Sequence, residues 1–405
     1  MDLGTIKRYL TPTVKGIMLA LFSMAGPMAV LLDAANRGGL SFEDTMVWMA
    51  GSYGVSGLCT IYLARRTKLP VVLAWNIPGA VLIGSVLPHY EFPQMVFGYL
   101  ATALLVLVSG WLGLGDQLLK VISPAVVMGI LSGVLIPFLL RVPQFVLDAP
   151  LLCGVPVVAY FAVSTIPALK KTVPPILAAA LSGVVLALTA APTGAELTWM
   201  GFNRPHWFLP QPTGAILLDV TLPVFLFIVG VNHVQSISIL RQFDYPAPGR
   251  MLNQWVGFAG LAAGLMGGSP ISLGGTLMSI LSPGPGERRE DLWFSAMVFG
   301  IIFFGIGLFA STVVQLRGFL PADLLATLAG LALFQVVTHT LRAAVGDTSH
   351  ATAGLAAMIV TLSGIQPLGW GAPLWGLVCG LFVQYLTRPS IKAPVGRTFL
   401  KSTAS

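Results

Sequence analysis

From Leu292 to Leu316 the chain runs without one charged side chain, and stretches of this kind recur along nearly its whole length. A helix rises about 1.5 Å per residue, so roughly 20 such residues cross the ~30 Å hydrocarbon layer of a bilayer. Uncharged runs of about that size cover 16–32, 45–64, 69–88, 92–115, 121–140, 149–169, 172–195, 220–240, 292–316 and 324–341. Two longer runs, 251–286 and 348–387, would be helices of about 54 and 60 Å, so each must hold two elements. The fold class predicted is therefore an all-α polytopic membrane protein of fourteen transmembrane elements. Composition agrees, because a soluble surface needs roughly a quarter of its residues charged, and only 9% of these 405 residues are. Unbroken apolar runs, rather than alternating ones, exclude a transmembrane β-barrel.

The basic residues orient these elements, since short cytoplasmic loops collect Lys and Arg. With both termini cytoplasmic and every element crossing, only Arg37, Arg141, Arg204 and Arg317 fall outside. If the third and tenth elements failed to cross, the asymmetry would worsen. Lys7, Arg8 and Lys15 precede the first run with no small-residue cleavage site behind it, so that run reads as a retained first span in an inner (plasma) membrane. The net charge of +7 is scattered between apolar runs, which argues against a nucleic-acid partner and leaves lipid as the surrounding partner. Cys59, Cys153 and Cys379 are far apart and inside apolar runs, without metal or disulfide spacing. No HExxH, GxSxG or GxxxxGK[ST] motif is present, so neither an enzyme nor a bound cofactor is expected.

Fourteen elements divide into two sevens, and an odd-numbered repeat duplicated in tandem must be inverted. The division predicts a first repeat over 1–195, an outside linker over 196–215, a second repeat over 216–390 and a cytoplasmic tail over 391–405. Weak self-similarity at an offset of about 197 matches Phe97 to Phe294, Gly110 to Gly307, and Leu131-Ser132-Gly133 to Leu328-Ala329-Gly330.

The third and tenth elements carry helix breakers at their centres: Trp75-Asn76-Ile77-Pro78-Gly79 in one, Ser269-Pro270-Ile271-Ser272-Leu273-Gly274-Gly275 in the other. Each is expected to be a short extended piece followed by a half-helix, with Pro78 in the first turn, where its missing N–H costs nothing. The 197-residue offset puts Pro78 on Gly275. Irregular backbone at mid-membrane survives only where protein or a water-filled cavity satisfies it, and facing half-helix N-termini suit a small anion.

Substrate-binding candidates follow from these breaks. Trp75 is positioned to stack on an aromatic solute, Asn76 to donate a hydrogen bond, Pro78 to start the half-helix beside it and Gly79 to admit close backbone approach; Ser272, Gly274 and Gly275 would turn their N–H groups to the solute. Gly26 and Pro27 break span one near the same depth and open room. Span eight adds Asn232 as a polar contact and His233, whose imidazole titrates near neutral pH, as the proton-coupling residue. Asp33, Asp219, and His339 with Arg342 read as boundary or gate residues. Ordinary Pro/Gly kinks, a satisfied interhelical hydrogen bond in span eight and a packing Trp are the competing structural readings.

The segment Leu69-Pro-Val-Val-Leu-Ala-Trp75-Asn76-Ile-Pro78-Gly79-Ala80, together with Trp255-Val-Gly257-Phe-Ala-Gly-Leu leading to Gly267-Gly268, resembles the benzoate/proton symporter family, which is related to nucleobase permeases and sulfate-type anion transporters. The resemblance covers nearly the whole chain. It implies a core domain of spans 1–4 and 8–11, a gate domain of spans 5–7 and 12–14, solute held between elements three and ten, elevator-like movement of the core, and a homodimer. Span eight departs from the family with Gly230-Val-Asn232-His233-Val-Gln235-Ser236, lacking the glutamate that nucleobase permeases set before the histidine. The reading is a proton-coupled secondary transporter of a small organic anion such as benzoate. An inorganic-anion exchanger or channel on the same fold is the runner-up, and a non-transporting membrane enzyme or scaffold the remote alternative.

Overall fold

A computed structural model describes residues 3–113, 121–167, 173–190, 201, 207–281, 283–284 and 287–387. The expected tail 391–405 and half of the linker 196–215 lie outside the described residues. Helices appear in every expected run. Span one is broken into Leu3–Ala25 and Pro27–Arg37, and span two is Phe42–Thr67. Spans four to seven are Phe92–Leu112, Pro124–Leu140, Pro150–Thr165 and Pro175–Ala190. Span eight runs Gly214–Gln242 and span nine Gly249–Leu265. Spans eleven to fourteen are Leu292–Leu308, Ala322–Gly346, Ala351–Leu362 and Ala372–Leu386. Both long runs do hold two elements each.

Local chemistry sets the ends. The Ser41 hydroxyl accepts the Asp44 N–H at 3.0 Å, and Glu43 and Asp44 in the first turn with Arg65 and Arg66 in the last complement the helix dipole of span two. Span four begins with a reciprocal Glu91/Gln94 cap. It ends at Gly113, whose φ of 66° is where an L side chain is strained.

Elements three and ten are the irregular ones, as predicted. β1 (Leu73–Trp75) leads into a half-helix, Ile77–Val86, and β2 (Ile271–Leu273) into a second, Gly275–Ile280. The strands pair antiparallel, Leu73 with Leu273, Ala74 with Ser272 and Trp75 with Ile271. This ladder fixes the relation between the halves. Residues 74 and 272 differ by 198, and a two-fold axis through that pair exchanges Leu73 for Ile271 and Trp75 for Leu273. It also exchanges the two flanking hydrogen bonds, Asn76 N–H to Pro270 O at 3.1 Å and Gly274 N–H to Val72 O at 2.9 Å. The offset at the break is thus 198, which sets Ile77, not Pro78, on Gly275. The correction has a physical cause: a one-residue slip would turn every strand side chain to the opposite face and break the ladder.

The same inversion governs helix packing. Span two packs on eleven and span nine on four, pairs that exchange when spans shift by seven; six with seven and thirteen with fourteen exchange likewise. Glycine lets backbones meet at these seams. A Cβ on Gly57 would stand 2.3 Å from the Phe304 nitrogen, and one on Gly257 2.6 Å from Leu107 Cα. Gly110 and Gly307, matched in the sequence, sit at equivalent seams, against Gln254 and Gly54. Span five packs against twelve and thirteen. A smaller apolar cluster of Tyr160, Ile176, Leu324 and Leu328 joins spans six, seven and twelve to Ala25 and Ala29 of span one.

Candidate functional site

The paired strands keep the backbone of β1 and β2 hydrogen-bonded to each other, which is how non-helical chain survives inside a bundle. Where they turn into the half-helices a cavity of about 290 Å³ opens. On one side it is lined by Trp75 and Pro78, by Ser272, Gly274, Gly275 and Thr276, by Pro27 of span one and by Asn232 and Gln235 of span eight. Facing them are Tyr160 of span six, Ile176 of span seven, and the Gln335, His339 and Thr340 face of span twelve.

Most of this wall is apolar. Trp75 is buried with its ring centroid 5.9 Å from that of Tyr53. The polar groups converge at the ribbon: Asn232 Nδ2 donates to Ser272 Oγ at 2.8 Å, tying span eight to β2. Gln235 reaches over the start of the second half-helix, where a Cβ on Gly275 would lie 2.7 Å from its Oε1. Gly275 leaves the space that Gln235 occupies. No Lys, Arg, Asp or Glu lines the cavity among the described residues. His339 does.

Of the residues singled out in the sequence, Trp75, Pro78, Ser272, Gly274, Gly275, Asn232 and Pro27 meet at this cavity. Asn76 and Gly79 do not line it. Asn76 is 1% exposed, and its Oδ1 accepts the Gly79 N–H at 2.6 Å, so its side chain caps the half-helix. Gly26 is the hinge of span one, and a Cβ there would lie 2.8 Å from Ala332 Cβ and from Ile176 Cγ1. His233 points the other way, into a separate cavity behind span eight. Part of that span, Phe227–His233, is a π-helix, a widened turn often found at functional sites. Gln235, Gln335, His339 and Thr340 are among the lining residues to which the sequence reading gave no binding role. Gln335 and His339, four apart, share one helix face, and that spacing is their only sequence signal.

Asp219 is not a free boundary residue. It accepts from Tyr90 Oη at 2.6 Å and from the Gly371 N–H at 2.7 Å, joining span eight to the start of span fourteen. Asp33 pairs with Arg37 at 2.8 Å.

The sequence model of the benzoate membrane transport proteins matches residues 9–386. The chain belongs to that family. It is a multi-pass membrane transport protein, not an enzyme. It is 24% identical over 381 residues to the benzoate membrane transport protein of Acinetobacter baylyi, covering 93% of this chain and 95% of that one. With the inner membrane protein YdcO of Escherichia coli it shares 26% over 369 residues, 90% and 93% of the two chains. Among solved structures, the transmembrane domain of the cyanobacterial bicarbonate transporter BicA superposes with a TM-score of 0.60 at 16% identity, over 93% of this chain and 98% of that one. The murine Slc26a9 anion transporter in its inward-facing state gives 0.61 at 12% identity, over 94% and 68%. The fold of this benzoate-family member is thus that of the BicA and Slc26a9 membrane domains.

Proposed function

We propose that the chain carries a small organic anion, an aromatic carboxylate such as benzoate, across the inner membrane together with a proton. The observation that carries this reading is the cavity at the paired strands. At about 290 Å³ it lies at the small end of ligand pockets, with Trp75 offering a flat apolar surface and Gln235 and the Asn232–Ser272 pair a polar corner. A carboxylate entering such a site needs its charge balanced, and a proton moving with it does so. His339 is the imidazole that lines this cavity, so it fits the coupling role better than His233, which lines the cavity behind span eight.

The cavity borders spans one, three, eight and ten on one side and five, six, seven and twelve on the other. This supports the division into a core domain (spans 1–4 and 8–11) and a gate domain (spans 5–7 and 12–14). Movement of the first past the second, elevator fashion, would expose the solute to each side in turn. Cytoplasmic termini and a homodimer complete the proposal.

Uptake of radiolabelled benzoate into proteoliposomes tests it, with and without an inward proton gradient. Gradient-driven uptake is expected for wild type and His233→Gln, and its loss for His339→Gln. Wild-type protein that accumulates no benzoate under either condition would sink the substrate assignment. The names of the fold neighbours favour a second reading, inorganic-anion exchange, which predicts bicarbonate or chloride flux independent of the gradient.

A further inference from the structure

The second cavity, about 360 Å³, lies behind span eight where spans four and eight end and span nine begins. Ser109, His233, Arg241, Gly249, Arg250 and Asn253 line it. Two guanidinium groups face the space, and among the described residues no Asp or Glu lines it and neither arginine makes an ion pair. Arg250 leans on the left-handed turn at Gly113, where a Cβ would lie 2.8 Å from Nη2. His233 Nε2 stands 3.3 Å from the place of a Cβ on Gly249, one residue away from Arg250. The start of span nine adds the positive end of a helix dipole.

A second, independent feature narrows the ligand. Asn253 is 3% exposed, and its Nδ2 donates to Ser109 Oγ at 2.8 Å and to Val106 O at 3.3 Å. Its Oδ1 has no hydrogen-bond partner among the described residues. A buried carbonyl in that state calls for a donor. The occupant must therefore bring negative charge to two arginines and an O–H to Asn253. A benzoate-like solute, ionised and without a hydroxyl, satisfies only the first demand.

We propose that this cavity binds a phosphate group with an adjoining hydroxyl, either free hydrogenphosphate or the glycerophosphate headgroup of an anionic lipid. Arginine forks suit phosphate oxygens. Trp111, 58% exposed two residues before Gly113, has the amphipathic ring typical of the headgroup level. The site is distinct from the solute cavity and stands whatever the transported solute proves to be.

Two probes separate the sources. Inorganic phosphate is titrated onto the purified protein at constant ionic strength, with thermal unfolding as the readout. In parallel, protein reconstituted in phosphatidylcholine nanodiscs with and without phosphatidylglycerol is examined by native mass spectrometry for retained lipid. A phosphate-dependent rise in melting temperature identifies a free anion, and retained phosphatidylglycerol identifies a headgroup. Either effect is expected to weaken roughly tenfold or more in Arg250→Gln. Arg241→Gln, at an exposed position, serves if that variant aggregates, and Arg250→Lys, which keeps the charge without the fork, is expected to fall between. Failure of both probes to bind, or binding by both glutamine variants as tight as wild type, overturns the proposal.

Discussion

Asn76 gives the sharpest test of how the site is built. Its Oδ1 takes the Gly79 N–H at 2.6 Å inside the bundle, and the residue is 1% exposed. Pro78 has no N–H, so Gly79 offers an early unpaired donor of the half-helix, and Asn76 is its acceptor. In water, replacing such a cap by alanine costs about 0.5–2 kcal/mol. Here no solvent replaces the lost acceptor, and a buried unsatisfied N–H costs about 1–3 kcal/mol, so Asn76→Ala is expected to lose about 2 kcal/mol. Asn76→Ser retains an oxygen acceptor and is expected to stay within about 0.5 kcal/mol of wild type, since serine caps about as well as asparagine. The assay pairs thermal unfolding of the purified protein with solute uptake in proteoliposomes. Uptake is expected to track stability, falling in the alanine variant and surviving in the serine one. A serine variant that is fully stable yet takes up no solute would refute the capping argument and return Asn76 to the role of solute donor.

Three further outcomes follow from the packing. Gly57→Ala drives a methyl against the Phe304 nitrogen and the Gly300 oxygen, backbone atoms that cannot rotate away, and is expected to cost about 1–3 kcal/mol in thermal unfolding; an unchanged melting temperature would mean the seam between spans two and eleven is looser than described. Ser272→Ala strips Asn232 Nδ2 of its 2.8 Å acceptor. A double-mutant cycle with Asn232→Ala is expected to return a coupling of about 0.5–3 kcal/mol, and additivity would show the pair to be independent. Outside the spans, the Ser349 hydroxyl and then His350 hold the Asp347 carboxyl down to about 2. Because the folded value lies below the unfolded one of about 3.9, the ordering this carboxylate supplies is complete above about pH 4 and lost as pH falls through about 2. Amide-exchange protection over 347–354 should decline in that window for wild type and not for Asp347→Asn.

The breaks at elements three and ten were legible because proline and glycine each impose backbone geometry locally. The inverted layout was legible through parity alone. Its register was not: apolar segments match one another by chance, and the 198-residue relation rests on hydrogen bonds between Val72, Asn76, Pro270 and Gly274 that no local pattern encodes. Adjacency in sequence also misled at span eight. Neighbours on a helix point about 100° apart, so Asn232 reaches the solute cavity while His233 reaches the one behind it. Span twelve hid its contribution because Gln335, at the middle of Ala322–Gly346, is a lone amide in an apolar helix, and His339, one turn further on, reads with Arg342 as a boundary residue. The capping task of Asn76 was hidden for a related reason, since an amide offers both an acceptor and a donor, and only the geometry shows its Oδ1 taken by the Gly79 N–H.

The pairing of β1 with β2 also constrains how the chain can be made. A three-residue strand cannot satisfy its own backbone, and its partner is encoded nearly two hundred residues later. At 5–20 residues per second a ribosome needs on the order of 10–40 s to deliver Ile271–Leu273 after Leu73–Trp75 has emerged. Through that interval the first repeat holds an open strand edge that lipid cannot tolerate. Assembly of the nascent protein is therefore expected to have a waiting point, with the third element shielded from lipid by protein, water or the insertion machinery until the tenth arrives to close it. A chain truncated before residue 271 should be recognised by quality-control proteases as unfinished, however complete its first seven spans.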